Sequence, residues 1–299
     1  MPNVTANGIQ IEYDTVGNPS NPAILMINGL GGQLIGSPGF VFAQEFCELL
    51  GEKELYVIRF DNRDVGLSTK FKEAEDLDSM EVLTAIMQGQ EIQSLYSLDD
   101  MADDAVGLLD TLGIEKAHVC GASMGAAITQ VIGYKHPSKV LSLIPIMGTT
   151  GNPDLPQGKP EVIQLLFTPS PEERADNIDH FVKFYKLAWG SLDFDEADVR
   201  EKAALAFDRS FYTQGIIRQL VAAITNGNRK PRLASVTAPT LVIHGSEDPL
   251  IPVEAGKDIV ESIPGAQLLI IEGMGHCLPR VVWSRIVDAI AKHTSKIRS

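Results

Sequence analysis

The sequence predicts an α/β protein whose mostly parallel sheet is interrupted by a block of helices. Three observations predict it. Short, unbroken apolar runs alternate with helical stretches over the first half of the chain, the order that builds βαβ crossovers. Those runs lack the polar–apolar alternation of a half-exposed strand, so they read as strands covered on both faces. From Thr149 to Arg232 the rhythm changes to four helical stretches without a strand between them, and strands resume after Pro239.

Residues 4–17 read as a hairpin around the turn dipeptide Asn7-Gly8. Ala23-Ile24-Leu25-Met26-Ile27 is the first buried strand and ends in Asn28-Gly29-Leu30-Gly31-Gly32. Helical spacing over 40–50 precedes the strand Leu55 to Phe60. Residues 61–97 are polar, with a short apolar patch from Val82 to Met87, and read as an excursion over the surface. Ser97 is placed to N-cap a helix reaching Leu112, with acids in its first turn. His118-Val119-Cys120 is a strand, 124–135 a small-residue-rich helix and Val140 to Met147 a further strand. The four helical stretches of the insert fall at 160–167, 172–189, 195–210 and 214–226, with Gly and Pro at the borders. Strand Thr240 to Ile243, helix 252–262, strand Leu268 to Ile271 and a helix from Arg280 complete the chain. The expected division is a core of 1–148 and 233–299 with a helical cap of 149–232.

A length of 299 residues suits one large domain or a core with a modest insert. Twenty-five basic residues against 39 acidic ones leave a net charge of −14. Such a surface favours solubility and repels nucleic acid and anionic membranes, so neither is expected as a partner. No basic leader with an apolar core is visible and no run of about 18 apolar residues occurs, so the expected location is the cytoplasm. Cys47, Cys120 and Cys277 are odd in number and lack metal-ligand spacing, so neither a disulfide framework nor a metal centre is expected.

Gly121-Ala122-Ser123-Met124-Gly125 lies between a strand and a helix. In that context Gly-x-Ser-x-Gly makes a tight, strained turn that lifts the serine hydroxyl clear of the sheet. The N–H of Met124, at the helix start, then points where a developing oxyanion would sit. A second donor should come from the loop after the first buried strand, with the Leu30 N–H best placed. A phosphate-cradling loop is the competing reading, but no Gly-Lys-Ser/Thr ending and no ribose-binding acid accompany it.

A serine nucleophile needs a base. Of six histidines, His276 alone sits in a glycine-rich loop just past the last strand, Gly273-Met274-Gly275-His276. His118, His136, His180, His244 and His293 read as structural. Loops at the C-terminal ends of parallel strands share one edge of the sheet with the Ser123 turn. The orienting acid should follow another strand between serine and histidine in chain order, and Asp248 does. Glu247 is the near rival and Asp154 a distant one.

These segments, with Asp61-Asn62-Arg63-Asp64-Val65-Gly66-Leu67-Ser68, resemble the α/β-hydrolase superfamily across nearly the whole chain. Asp61 to Thr69, His118 to Gln130 and Met274 to Pro279 are especially similar to the aclacinomycin methylesterase-like hydrolases. The resemblance implies the α/β-hydrolase fold, about eight strands in a mostly parallel sheet with a helical cap inserted after the sixth. It also implies hydrolysis of carboxylic esters through an acyl-enzyme, on a small-molecule ester and without a cofactor. Two features depart from the pattern. Asn28-Gly29 stands where His-Gly is usual, so the histidine's structural hydrogen bond must be replaced, and the 61–97 segment is longer than in the methylesterase. Asp61, Arg63 and Asp64 read as structural anchors.

The catalytic residues expected are therefore Ser123, Asp248 and His276, with the N–H groups of Leu30 and Met124 as the oxyanion hole. Haloalkane dehalogenation and epoxide hydrolysis need an aspartate at position 123 and are unsupported. Two rivals remain: a prolyl-type aminopeptidase, with Glu172, Glu173, Asp176 or Asp179 holding an ammonium, and a non-catalytic ligand receptor. Perhydrolysis and C–C bond hydrolysis use the same three residues. The insert aromatics Phe167, Phe181, Phe184, Tyr185, Trp189 and Phe207 read as core between its helices.

Overall fold

Asn7 and Gly8 both have positive φ, 48° and 79°, as the turn of a two-residue hairpin requires. They join β1 (Asn3–Ala6) to β2 (Ile9–Val16), paired antiparallel with Ala6 opposite Ile9. The computed structural model describes residues 2–35 and 42–297. Six further strands follow: β3 (Ala23–Ile27), β4 (Tyr56–Phe60), β5 (Ala117–Ala122), β6 (Val140–Ile146), β7 (Leu241–Gly245) and β8 (Gln267–Ile271). The eight form one sheet in the order β1-β2-β4-β3-β5-β6-β7-β8. From β4 to β8 every pairing is parallel, so the exits of β3, β5, β7 and β8 share one edge.

The helices in chain order are α1 (Gln44–Glu52), α2 (Ser79–Met87), α3 (Leu98–Thr111), α4 (Met124–Lys135), then α5 (Pro160–Phe167), α6 (Arg174–Ala188), α7 (Glu196–Arg209), α8 (Thr213–Thr225) and α9 (Lys230–Leu233), and finally α10 (Val253–Ser262) and α11 (Arg280–Thr294). Among the described residues no helix is long and apolar enough to cross a membrane. α3 starts at a capping box, in which the Ser97 hydroxyl accepts the Asp100 N–H and the Asp100 carboxylate accepts the Ser97 N–H.

Unbroken apolar strands arise because each face of the sheet has its own core. Along β3, Ile24 and Met26 pack with Phe46, Leu50, Trp283 and Ile286 of α1 and α11. Leu25 and Ile27 pack on the other face with Met101, Leu108, Ile128 and Ile259 of α3, α4 and α10. β5 repeats the division, Cys120 and Ala122 on one side and Ala117 and Val119 on the other. Each fully buried large aliphatic side chain contributes roughly 1.5–3 kcal/mol relative to exposure.

Helices α5 to α9 all lie between β6 and β7 in the chain. The two ends of this insert meet at buried Arg229, whose N–H donates to Thr150 O (2.8 Å) and whose Nη2 donates to Thr149 O (2.7 Å). Two expectations fail, the second in part. A fifth helix, α9, is too short to carry a helical period in the sequence. The 61–97 segment is a surface excursion only in its later part: it contains α2 and is mostly exposed from Lys72 to Leu95, but Asp61, Asn62, Arg63, Asp64 and Ser68 are buried. Their charges are tolerated because each finds a partner: Arg63 on Asp104 (2.6 Å), Asp64 on Arg218 (2.9 Å) and Asp61 on Arg209 (2.8 Å). Of the helix expected over 40–50, Phe40 and Val41 lie outside the described residues.

Candidate active site

Ser123 follows β5 and N-caps α4 with φ 56° and ψ −118°, a conformation costing a non-glycine residue on the order of 1–3 kcal/mol. The flanking glycines are sterically required. A Cβ at Gly121 would collide with the Gly125 carbonyl, and one at Gly125 with the Ile27 carbonyl. The turn is held by the Ser123 N–H donating to Ile146 O at 3.0 Å.

His276 lies beyond β8 in a loop fastened to the end of α6: its N–H donates to Ala188 O (2.6 Å), and that of Gly275 to Trp189 O (2.9 Å). His276 Nε2 is 2.9 Å from Ser123 Oγ, and its Nδ1 is 2.7 Å from Asp248 Oδ2. Asp248 Oδ1 accepts the N–H groups of Leu250 and Ile251, both at 2.9 Å. A carboxylate at Nδ1 takes the N–H of that nitrogen, which leaves Nε2 to accept the serine proton. Burial alone would raise the Asp248 carboxyl, but the adjacent His276 charge and hydrogen bonds from His244 and His276 hold it well below the usual carboxylate range. The three predicted side chains thus meet in one buried hydrogen-bonded chain, drawn together from 153 residues of sequence separation.

The neighbouring loop closes against the same serine. A Cβ at Gly29 would lie 3.1 Å from Ser123 Cβ and 3.7 Å from its Oγ. Neither the Leu30 nor the Met124 N–H donates to another described residue. Asn28, fully buried, donates its Nδ2 to Gln33 O at 3.3 Å, across the turn. Glu247, the rival acid, is exposed and accepts from Ser191 Oγ (2.9 Å), while Asp154 is exposed on the insert.

Ser123 and His276 line a cavity of about 160 Å³, with Leu30, Met147, Leu165 and Ile216 among its walls. Phe181, Phe184, Tyr185 and Phe207 also line it, so these aromatics face the cavity as well as packing the insert. Phe167 and Trp189 remain core. Among the described residues lining the cavity there is no Asp, Glu, Lys or Arg.

His180, expected to be structural, reaches the cavity wall. His244, also expected to be structural, places Nε2 3.5 Å from Asp248 Oδ2 while bonding Ile251 O at 2.8 Å. Its spacing of four from Asp248 was the available signal. Among the described residues no group of three or more His, Cys, Asp or Glu is arranged to hold a metal ion.

The family model of the alpha/beta hydrolase fold matches residues 22–279. The chain belongs to the α/β-hydrolase family. It is 26% identical over 313 residues to the rhodomycin D methylesterase DauP of Streptomyces sp. (strain C5), covering 97% of each chain. A 2-hydroxy-6-oxononadienedioate/2-hydroxy-6-oxononatrienedioate hydrolase of Cupriavidus pinatubonensis (strain JMP 134 / LMG 1197) is 32% identical over 172 residues, 57% of this chain and 59% of that one. Among solved structures, the 2-hydroxy-6-oxo-6-phenylhexa-2,4-dienoate hydrolase of Rhodococcus sp. strain RHA1 superposes with a TM-score of 0.75 at 17% identity, over 97% of this chain and 96% of that one. An α/β-hydrolase fold with such relatives supports hydrolase activity.

Proposed function

We propose that this α/β-hydrolase is a serine carboxylesterase acting on neutral small-molecule esters. One observation carries the reading: the chain Ser123 Oγ–His276 Nε2–Asp248 opens onto an uncharged, largely apolar cavity. Ser123 transfers its proton to His276 as its oxygen attacks the ester carbonyl. Asp248 fixes the imidazole tautomer and stabilises the imidazolium. The N–H groups of Leu30 and Met124 receive the tetrahedral oxyanion, each donor worth roughly 3 kcal/mol in comparable enzymes. His276 next protonates the departing alcohol, and water then hydrolyses the acyl-serine with the proton transfers reversed. Helices α5 to α9 serve as the cap, and their aromatic residues shape the pocket.

The likeness to DauP, named for methyl-ester cleavage, supports an ester substrate over nearly the full chain. The Cupriavidus relative is named for a dioate, and the cavity described here offers such a dianion no lysine or arginine. Glu172, Glu173, Asp176 and Asp179 are exposed and none lines the cavity, so the aminopeptidase reading lacks an ammonium site.

A chain-length panel of p-nitrophenyl esters, run on wild type and Ser123→Ala beside a prolyl arylamide, tests the proposal. Multiple turnovers of esters and not of the arylamide are expected, with kcat falling on the order of 10⁵–10⁶-fold in the variant. A Ser123→Ala protein with wild-type rates removes the nucleophile and with it the proposal.

A further inference from the structure

We infer that Gln219, a fully buried residue of α8, is a positioning residue for the oxyanion-binding turn, so that the insert completes the catalytic apparatus as well as covering it. The inference rests on the esterase reading above. The Gly32 N–H donates to Gly29 O at 3.1 Å, and Gly31 has φ +67°. These define a four-residue turn, 29–32, with Gly31 in the third position, where positive φ is required when the central peptide is flipped as in a type II turn. That central peptide joins Leu30 to Gly31. Its N–H donates to Gln219 Oε1 at 3.0 Å, and Gln219 Nε2 donates to Arg63 O at 2.7 Å. Rotating the Leu30–Gly31 peptide would break the first bond and change the backbone torsion of Leu30. The proposed oxyanion donor is the N–H of that same residue. One buried amide therefore holds the conformation of the turn that carries the donor, without touching the donor itself.

The remaining contacts leave the turn little slack. The Gly29 backbone is packed on Ser123, and a Cβ at Gly31 would meet the Ile216 side chain of α8 at 3.2 Å. Past the turn, Gln33 Nε2 donates to Ala206 O (2.8 Å) and Ser210 O (2.9 Å), while its Oε1 accepts from Arg209 (2.8 Å). Arg209 also pairs with Asp61, which accepts the Leu34 N–H at 2.7 Å. The residues that follow Leu30 are thus fastened to α7, α8 and the link between them, while Gly29 before it is packed on Ser123. Glutamine suits position 219 because one planar group supplies both an acceptor and a donor. An apolar side chain there would leave the Gly31 N–H and the Arg63 carbonyl unpaired in the interior.

The test compares Gln219→Met, which keeps the shape and loses both bonds, with Gln219→Glu, which keeps the acceptor for Gly31 and loses the donation to Arg63. On a p-nitrophenyl ester, the Met variant should lose kcat about 10–100-fold, short of the full loss of an oxyanion donor, with KM within about threefold of wild type. The inhibition constant of an aryl boronic acid, whose adduct with Ser123 is tetrahedral, should rise in parallel with the loss of kcat. The Glu variant should return to within about fivefold of wild-type kcat. The inference is overturned if the Met variant keeps kcat within twofold, if Met and Glu lose it equally, or if boronate affinity stays constant while kcat falls. Should the Met variant not fold, Gln219→Asn, one methylene too short to reach Gly31, is read by the same criteria. Ser123→Ala separates the two levels. If it is inactive while the Gln219 variants behave as wild type, only this inference falls; if it is active, the esterase reading falls first.

Discussion

Strand β5 carries a buried histidine near its start and the strained serine just past its end, and the imidazoles at the two ends have different partners. At the start, His118 Nδ1 faces the Ser142 hydroxyl at 2.8 Å and its Nε2 bonds no described residue. Burial, with the charge of His293 as a smaller contribution, pushes His118 down to about 4. At the other end, His276 is nearly as buried, 7% exposed against 0%, but has the Asp248 carboxylate at 2.7 Å. The rings are the same and the sheet is the same. What separates their surroundings is a single carboxylate at hydrogen-bond distance, itself held as an anion by its neighbours.

The strongest way to break this contrast is to remove the charge and keep the shape. In Asp248→Asn the amide oxygen would keep accepting the Leu250 and Ile251 N–H groups, which turns the NH₂ toward His276 Nδ1. Two donors cannot share that contact, so the imidazole must carry its proton on Nε2 and can no longer accept from Ser123. A kcat reduction on the order of 10⁴-fold with KM little changed is expected. Steady-state kinetics on an aryl ester measure it, and a variant within tenfold of wild type would show that Asp248 does not set the tautomer.

The end of the sheet where Ser123, Asp248 and His276 meet was legible because its logic is local. Ser123, Asp248 and His276 each follow a short apolar strand, and parallel topology delivers such exits to one edge without knowledge of any tertiary contact. The insert was legible as helices and opaque as a surface. Phe181 and Phe207 face the cavity while Phe167 packs in the core, and helical spacing cannot distinguish the two until the helices dock. Charge pairs hid the burial of the 61–68 segment for the same reason: Asp64 meets Arg218 across 154 residues of sequence. Gln219 and its bond to Gly31, 188 residues away, leave no trace in one sequence.

A sharper form of the contrast is read in stability. The His118 imidazole falls from an ordinary 6.5 to about 4 in the folded chain. Between those values the unfolded chain holds a proton that the folded one refuses, so stability falls as pH falls from 6.5 to 4. This group alone accounts for about 3 kcal/mol at most. Burial lowers His180 and His293 as well, and they add to the loss with the same sign. Asp248 acts in a different window: its depressed pKa stabilises the fold above about 4, and that contribution fades only at lower pH. Urea titrations of His118→Asn at pH 7 and pH 4.5 should therefore show a smaller difference than wild type, with ester turnover at pH 7 unaltered. An undiminished difference would mean that His118 is protonated in the fold.

The smallest effect is expected one residue from Asp248. Glu247 adjoins Asp248 in the chain, but its side chain is exposed and reaches Ser191 on the insert, and its backbone N–H, which no substitution removes, bonds Met274 O. Glu247→Gln keeps a hydrogen-bond acceptor for the Ser191 hydroxyl and takes a charge from solvent, where such contacts contribute well under 1 kcal/mol. Turnover within about twofold of wild type and an unchanged melting temperature are expected. A loss of kcat comparable to that of Asp248→Asn would instead mean that the loop after β7 swings its other carboxylate onto His276 during turnover, and the acid assignment would pass from Asp248 to Glu247.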